Sequence, residues 1–112
     1  MGQEERMFNL NKFQREQMEW TNKNFPNQKP YQPLLGIMEE VGELSHAHLK
    51  AEQDIRGTQE EHYYAKVDAV ADILVFLAGY CNQVGIDLEQ AIKSTWEQVK
   101  KRDWKKNNKD GT

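Results

Sequence analysis

The sequence has 112 residues, of which 15 are Lys or Arg and 18 are Asp or Glu, giving a formal net charge of −3. This length suits one domain, and the charge makes no general case for nucleic-acid binding. The single cysteine, Cys81, cannot form an intrachain disulfide and lies in an apolar run, which favours a reducing compartment. No signal peptide is recognisable, and the longest apolar run contains aspartates and is too short to span a bilayer. We therefore expect a soluble, cytoplasmic protein that does not enter a membrane.

The first two predicted helices are separated by a loop that contains prolines. The first helix spans about residues 9–24, where side chains recur at helical spacing on one face. The loop at 25–30 contains two prolines and an asparagine, which favour extended backbone. The second helix begins near Pro33, since proline suits a first turn, and continues to about residue 52. The inner faces predicted for these helices are formed by Leu10, Phe13, Gln17 and Trp20 and by Ile37, Val41, Leu44 and His48.

Capping signals mark the third and fourth helices. Thr58 followed by Glu61 matches a capping box and opens the third helix, which Gly85 ends. Asp87 followed by Gln90 resembles a second capping box and opens the fourth helix. Apolar residues surround the third helix on nearly every side, so we expect it to be central and buried. The whole chain, residues 1–112, is predicted to be one all-α, four-helix domain with a loose tail from about residue 105.

Three glutamates share one face of the second helix. Glu39, Glu40 and Glu43 occupy an arc of about 100° beside the apolar stripe, and like charges one turn apart are mildly unfavourable. Gly36 and Ala47 flank this arc, and their small size leaves room for something to approach the carboxylates. An ordinary solvated acidic face is the competing interpretation.

Two aspartates interrupt the apolar third helix. Asp68 and Asp72 lie one turn apart on one face and are the only charged residues between positions 67 and 81. Carboxylates that point into a core need a partner, which is either a basic side chain from another helix or a bound cation. Hard divalent cations such as Mg²⁺ prefer carboxylate oxygens. Placing the two acidic helices side by side would form one acidic pocket. Bound metal ions would relieve the repulsion between its carboxylates.

These two segments carry a resemblance to a known family. EEVGE at 39–43, followed by a loop and DAVADILVFL at 68–77, resembles the MazG-like all-α nucleoside triphosphate pyrophosphohydrolases, whose signature is EExxE, a spacer and then ExxD. The likeness runs from about residue 33 to residue 104. Asp72 matches the aspartate that ends the signature. The glutamate of the ExxD part of the signature, however, would fall on Ala69. Asp68, one residue earlier, lies on the same helical face as Asp72 and is the candidate replacement.

The resemblance implies a reaction and a set of metal ligands. The reaction is hydrolysis of a nucleoside triphosphate to the monophosphate and pyrophosphate, by attack of a metal-activated water at the α-phosphorus. Mg²⁺, for which Mn²⁺ is a substitute, would be bound by Glu40, Glu43 and Asp72 together with Asp68. The catalytic carboxylates would be Glu40, Glu43 and Glu39, the last of which would bind a second ion or orient a water.

The same resemblance implies substrate contacts and an oligomer. Basic residues must neutralise the triphosphate, and the candidates are Lys50, Lys93, Lys100, Lys101 and Arg102. Candidates for base recognition are Trp20, Asn24 and Tyr64, of which Trp20 fits the core better than it fits a stacking platform. A homodimer or homotetramer is expected, in which the core of this MazG-like bundle is completed by oligomerisation.

Other function classes fit parts of the sequence. A ferritin-like di-metal protein would use Glu43 and His46 as a Glu-x-x-His pair, but such sites need two pairs from different helices. A nucleic-acid-binding module would use the basic segment 100–109, although the acidic remainder of the chain would repel a phosphate backbone. A non-catalytic helical oligomer would explain the apolar third helix but not its aspartates. Release of pyrophosphate that depends on Mg²⁺ separates the enzyme from these alternatives.

Overall fold

A computed structural model describes residues 7–111, and within that range the chain is helical, with four helices and no strand. The helices are α1 (Leu10–Asn24), α2 (Tyr31–Gln53), α3 (Gln59–Val84) and α4 (Leu88–Val99). The predicted all-α class and the number of helices are confirmed. The predicted starts lie within two residues of the observed ones, because capping residues and prolines are visible in the sequence.

Side-chain caps determine where α3 and α4 begin. The hydroxyl of Thr58 accepts a hydrogen bond from the backbone N–H of Glu61 at 3.0 Å, at the start of α3. The carboxylate of Asp87 accepts one from the backbone N–H of Gln90, also at 3.0 Å, at the start of α4. Gly85 ends α3 in the left-handed conformation, with φ of 77°, which glycine adopts without the steric cost that other residues meet.

The α2–α3 pair is the main packing unit of the fold. These helices make the most extensive contact in the structure, and the short connection between them makes them antiparallel. Gly36 of α2 lies directly against Phe76 of α3, since a Cβ at position 36 would come within 2.5 Å of that ring. The room that Gly36 provides beside the acidic arc is therefore filled by Phe76 and is not left free for a ligand.

The inner face of α2 differs from the predicted one by a rotation about the helix axis. Ile37 and Leu44 are half-buried, as expected for inward positions. Val41, however, is 41% exposed, and His48 is also exposed, so these two assignments are wrong for the single chain. Helix α3 packs instead on the side of α2 that carries Gly36 and the buried Ala47, where the two backbones can approach closely.

The other two helices pack at the C-terminal end of α3. Helix α1 contacts both α3 and α4. Ala78, Cys81 and Leu88 form a small buried cluster there. The residues packed against it are Leu10, Phe13 and Leu77. The inward positions predicted for Leu10 and Phe13 agree with this packing.

A single chain buries little of its apolar surface. The accessible surface is 8974 Å², whereas a compact monomer of this mass exposes about 6400 Å². The radius of gyration is 17.7 Å, compared with about 13 Å for a compact domain of this length. On α3, Val67 is 45% and Val70 is 50% exposed. The prediction that α3 is buried is therefore wrong for the single chain, because its neighbours cover only part of its circumference.

Helix α3 also has the length and composition of a membrane span. Its 26 residues correspond to about 39 Å, and its most apolar stretch has a mean hydropathy of 1.3. The expectation that the longest apolar run is too short to span a bilayer is therefore wrong by length and composition, because an 18-residue stretch of α3 is apolar enough in spite of its aspartates. The evidence for a span is weak, since the core helix of a soluble helical protein meets the same criteria.

The segment that follows α4 consists of turns. The carboxylate of Asp103 accepts hydrogen bonds from the backbone N–H groups of Lys105 and Lys106, at 3.2 Å and 3.0 Å. The backbone of Asn107 donates to the carbonyl of Asp103, and Gly111 donates to the carbonyl of Asn107. The segment from about residue 105, which was expected to be loose, thus forms turns that are joined by hydrogen bonds.

Candidate functional site

The five carboxylates singled out in the sequence lie on α2 and α3. Glu40 is half-buried, whereas Glu39, Glu43, Asp68 and Asp72 are exposed in the single chain. Glu40 therefore points toward α3, and the other two glutamates lie nearer to solvent. The acidic arc is neither a wholly solvated face nor a wholly buried one.

Glu40 and Asp72 come together across the contact between α2 and α3. Both side chains line one cavity. The pKa of Glu40 is raised above its ordinary value of 4.5, first by desolvation and then by repulsion from Asp72, Glu43 and Glu39. The negative charge of Asp72 thus acts on Glu40 directly, as the predicted convergence of the two helices requires.

No basic side chain neutralises this acidic group within the part of the chain that the structure describes. The ion pairs seen among residues 7–111 include those of Glu16 with Lys12, Glu52 with His48, and Glu97 with Lys100, and none is seen at the five carboxylates. A pair of core aspartates satisfied by Lys or Arg from another helix is therefore not observed in the single chain. The acidic group remains electrostatically uncompensated, which is the condition that a cation would relieve.

The structure brings together only part of the predicted ligand set. Among residues 7–111, no group of three or more His, Cys, Asp or Glu side chains is arranged to hold a metal ion. Asp72 approaches Glu40, whereas Asp68 does not line their cavity. Ala69, where the signature that the sequence resembles has a glutamate, is only 2% exposed. Asp68 precedes this buried position and is turned toward solvent.

The cavity that contains the two carboxylates extends between α1, the loop at 25–30 and the α2–α3 pair. Its volume is about 490 Å³, which falls within the range of small-molecule sites. Aromatic and amide side chains form most of its remaining wall. The residues that line it besides the two carboxylates are Gln17, Trp20, Thr21, Phe25, Gln28, Gln32, Pro33, Val75 and Phe76.

Trp20 belongs to this cavity rather than to the core. Its side chain is 53% exposed, and its ring packs at an angle of 62° to that of Phe25, with centroids 5.7 Å apart. The assignment of Trp20 to the core is therefore wrong for the single chain, while its candidate role in base recognition stays a prediction. The loop at 25–30 accounts for this position because it carries Phe25 back against the end of α1.

The other candidates for substrate contact do not line the cavity. Asn24 donates to the backbone carbonyl of Trp20 at 2.9 Å, and Tyr64 packs edge-on against Tyr63, with ring centroids 5.4 Å apart. Lys50 donates to the side chain of Gln53 at 2.9 Å. These side chains have local structural partners, and the single chain does not bring them to the carboxylates.

The predicted phosphate contacts lie on a different part of the fold. Lys93 belongs to α4, which packs against α1, and Arg102 follows the end of that helix. Lys100 is paired with Glu97 at 2.9 Å. Neither these residues nor Lys101 lines the cavity of Glu40. Phosphate contacts from this segment would therefore require a different relative position of α4, or a second copy of the chain.

Three glutamines of the cavity were not recognised as site residues from the sequence. Gln17 was assigned to the inner face of α1, whereas Gln28 and Gln32 lie in and after the loop. The available signal was the density of amide side chains around Pro26 and Pro30. Glutamine is common on exposed surfaces, so this composition alone could not separate a binding wall from a solvated loop.

Comparison of the sequence with protein-family profiles and with curated proteins found no significant match.

The raised pKa of Glu40 predicts a specific dependence of stability on pH. In the folded state Glu40 binds its proton more tightly than in the unfolded state, so metal-free stability falls as pH rises from 4.5 through the raised pKa. Glu40→Gln removes this penalty. We expect the variant to melt above the wild type at pH 7 without metal, and to lose that advantage below pH 4.5, as measured by circular dichroism.

The control is Glu19→Gln, which changes an exposed carboxylate of α1. Its melting temperature should equal that of the wild type both at pH 7 and below pH 4.5. If Glu40→Gln melts below the wild type at pH 7, the Glu40 carboxylate has a stabilising partner and is not an uncompensated charge.

Proposed function

We propose that this chain is a Mg²⁺-dependent nucleoside triphosphate pyrophosphohydrolase of the MazG-like type, acting in the cytoplasm. The observation that carries the proposal is the convergence of Glu40 and Asp72, from two helices, on one cavity without a basic partner among residues 7–111. The resemblance of EEVGE and DAVAD to the family signature supports it independently. The product pair is a nucleoside monophosphate and pyrophosphate.

The donor chemistry of the site fits a hard divalent cation. Glu40 and Asp72 offer oxygen ligands that already repel each other, and Glu43 lies one turn from Glu40 on the same helix. Glu40 and Asp72 would hold Mg²⁺ first, and Glu43 and Asp68 would complete the set only after moving closer, since the single chain does not gather three ligands among residues 7–111. When bound, Mg²⁺ would supply charge neutralisation for the triphosphate and would lower the pKa of water.

The remaining groups of the chain would bind and orient the substrate. Glu39 lies beside Glu40 on the solvent side of α2, where its carboxylate can accept a proton or orient a water. Trp20 offers an exposed aromatic face at the cavity, and flat rings of this kind stack on nucleobases. The cavity would thus hold the base at the Trp20 end and the phosphates at the Glu40 end.

We also propose that the active form is a homodimer or homotetramer. The accessible surface exceeds that of a compact monomer of the same mass by about 2600 Å². Each partner of a standard protein–protein interface buries about 800 Å², so the excess of one chain is large enough for more than one such interface. A second copy would cover the exposed apolar residues of α3, and it could bring Lys93 and Arg102 toward the phosphates.

The direct test is release of pyrophosphate from a panel of natural and modified nucleoside triphosphates with millimolar Mg²⁺. We expect at least one triphosphate to yield equimolar monophosphate and pyrophosphate, with no product when EDTA is present. Release of inorganic phosphate alone would indicate attack at the γ-phosphorus and would contradict the proposed reaction. Absence of any product across the panel would contradict the enzymatic proposal as a whole.

A further inference from the structure

The amide groups of the cavity are oriented by hydrogen bonds that the structure defines. The side-chain nitrogen of Asn82 lies 3.0 Å from the backbone carbonyl oxygen of Gln14, so that atom must be a donor. The same nitrogen lies 2.9 Å from the side chain of Gln17 and must donate to the oxygen of that amide. The carbonyl of Gln17 is therefore engaged by the protein, and its NH₂ group remains available.

Close packing keeps the Gln17 amide in this orientation. A Cβ at Gly79 would lie 2.8 Å from the side-chain nitrogen of Gln17, so glycine is the residue that admits the amide at this point of α3. Gly79 is itself buried. The hydrogen bond from Asn82 and the close approach of Gly79 hold the amide from two sides, which lowers the entropic cost of using it to bind a ligand.

Gln32 presents the same polarity. The backbone N–H of Lys29, which can only donate, lies 2.6 Å from the side-chain oxygen of Gln32. The NH₂ group of Gln32 is thus the part of this amide that remains for a ligand. Gln17 of α1 and Gln32 of α2 thus line one cavity, and neither NH₂ group has a hydrogen-bond acceptor among residues 7–111.

The rings of the cavity suit a flat ligand. Trp20 and Phe25 form an edge-to-face pair on one side. Phe76 is fixed against the backbone of α2 because Gly36 has no side chain. A flat heterocycle can stack on such rings while its edge meets the NH₂ donors.

We infer that this cavity binds the nucleobase and selects bases with a carbonyl oxygen where adenine and cytosine carry an amino group. The inference rests on the proposed function, since it deepens the substrate assignment of the same site. The NH₂ groups of Gln17 and Gln32 donate to a base carbonyl. If the base carries an amino group at this position, the NH₂ groups of the glutamines face another donor. A desolvated donor is then left without a hydrogen-bond acceptor. Uracil, thymine, guanine and hypoxanthine bases are therefore favoured over cytosine and adenine.

Matched nucleotide pairs test this selection independently of ring size. dITP and dATP share a purine ring, dUTP and dCTP share a pyrimidine ring, and in each pair the first carries the carbonyl. We expect kcat/KM to favour the carbonyl member of each pair by at least about tenfold, which corresponds to one good hydrogen bond. Affinities measured by isothermal titration calorimetry should follow the same order.

Two variants connect the preference to the amides. Gln17→Glu retains an oxygen that can accept from Asn82 but replaces the NH₂ donor by an acceptor, and Gln32→Glu does the same beside Lys29. Each should reduce the carbonyl preference to about threefold or less, since the favoured pairing is lost. Gln90→Glu is the matched control, because its amide bonds Ser94 on α4 and does not line the cavity.

The outcomes separate this inference from the proposed function. Pyrophosphate release with equal kcat/KM for both members of each pair would overturn the base selection and leave the reaction intact. Preferential binding of the carbonyl members without pyrophosphate release would support the selection and contradict the reaction. Absence of nucleotide binding, or a preference that both glutamate variants retain in full, would overturn the inference.

Discussion

Asp72→Asn is expected to abolish activity without unfolding the protein. The substitution preserves the volume of the side chain and removes the charge that faces Glu40 across the α2–α3 contact. If Asp72 binds Mg²⁺, kcat should fall by more than about 100-fold, because even residues that only support a metal ligand cost 10–100-fold when mutated. Without metal, the variant should melt no lower than the wild type, since repulsion with Glu40 is relieved.

Thermal melting with and without Mg²⁺ distinguishes the roles of Asp72. Millimolar Mg²⁺ should raise the melting temperature of the wild type, because it binds only the folded state, and should raise that of Asp72→Asn very little. Glu60→Gln changes an exposed residue in the first turn of the same helix and should retain both activity and the response to Mg²⁺. A variant that unfolds would show that Asp72 has a structural ion pair, and an active one would remove the main support for a pyrophosphohydrolase.

The helices were predictable because their ends are specified by local contacts. Thr58 bonds to Glu61 three residues later, and Asp87 bonds to Gln90 in the same way, so both interactions are readable from adjacent sequence. Gly85 likewise ends α3 through its own backbone conformation. None of these features depends on how the helices pack against one another.

The site was only partly predictable because it depends on contacts between distant segments. Spacing on each helix predicted that Glu40 and Asp72 share a face with other carboxylates, and they do meet. The cavity wall, however, depends on how closely α2 and α3 approach at Gly36, and on the loop that folds Phe25 against Trp20. The contact of Gly36 with Phe76 joins residues far apart in the chain, and that of Phe25 with Trp20 depends on the path of the loop. Helical periodicity carries no information about either.

The partial exposure of α3 shows a second reason why sequence patterns do not predict the whole structure. An apolar circumference predicts that a helix is covered on all sides, but it does not say which chain supplies the cover. In the single chain, α2 and α1 cover one part of α3, and Val70 remains 50% exposed. The pattern is therefore compatible with a helix at the centre of an oligomer, which the next substitution tests.

Val70→Glu is expected to dissociate the proposed oligomer. Val67, Val70 and Leu74 recur at helical spacing on α3 and are 45%, 50% and 37% exposed in the single chain. If a second copy covers this stripe, a glutamate at position 70 places an unpaired charge in an apolar interface. Such a charge costs about 3–5 kcal/mol, which weakens association by at least about 100-fold.

Light scattering coupled to size-exclusion chromatography measures this directly. The molar mass measured for the wild type should be a multiple of 13.2 kDa, and that of Val70→Glu should shift toward the mass of one chain. Val70→Thr keeps a branched side chain without a charge and should remain associated at the same concentration. A wild type that is monomeric at micromolar concentration would contradict the proposed oligomer, and an associated Val70→Glu would place the interface elsewhere.

Dissociation should also lower stability, because the chain alone encloses few apolar residues. Within residues 7–111 the buried apolar side chains are Ala47, Ala69, Ala78, Cys81 and Leu88 together with Pro33, and most of them are small. If association supplies much of the remaining burial, the melting temperature of the wild type should rise with protein concentration, whereas that of Val70→Glu should be lower and independent of it. Lost activity in Val70→Glu, with the total helical content retained by circular dichroism, would indicate that a second copy completes the site at Glu40 and Asp72.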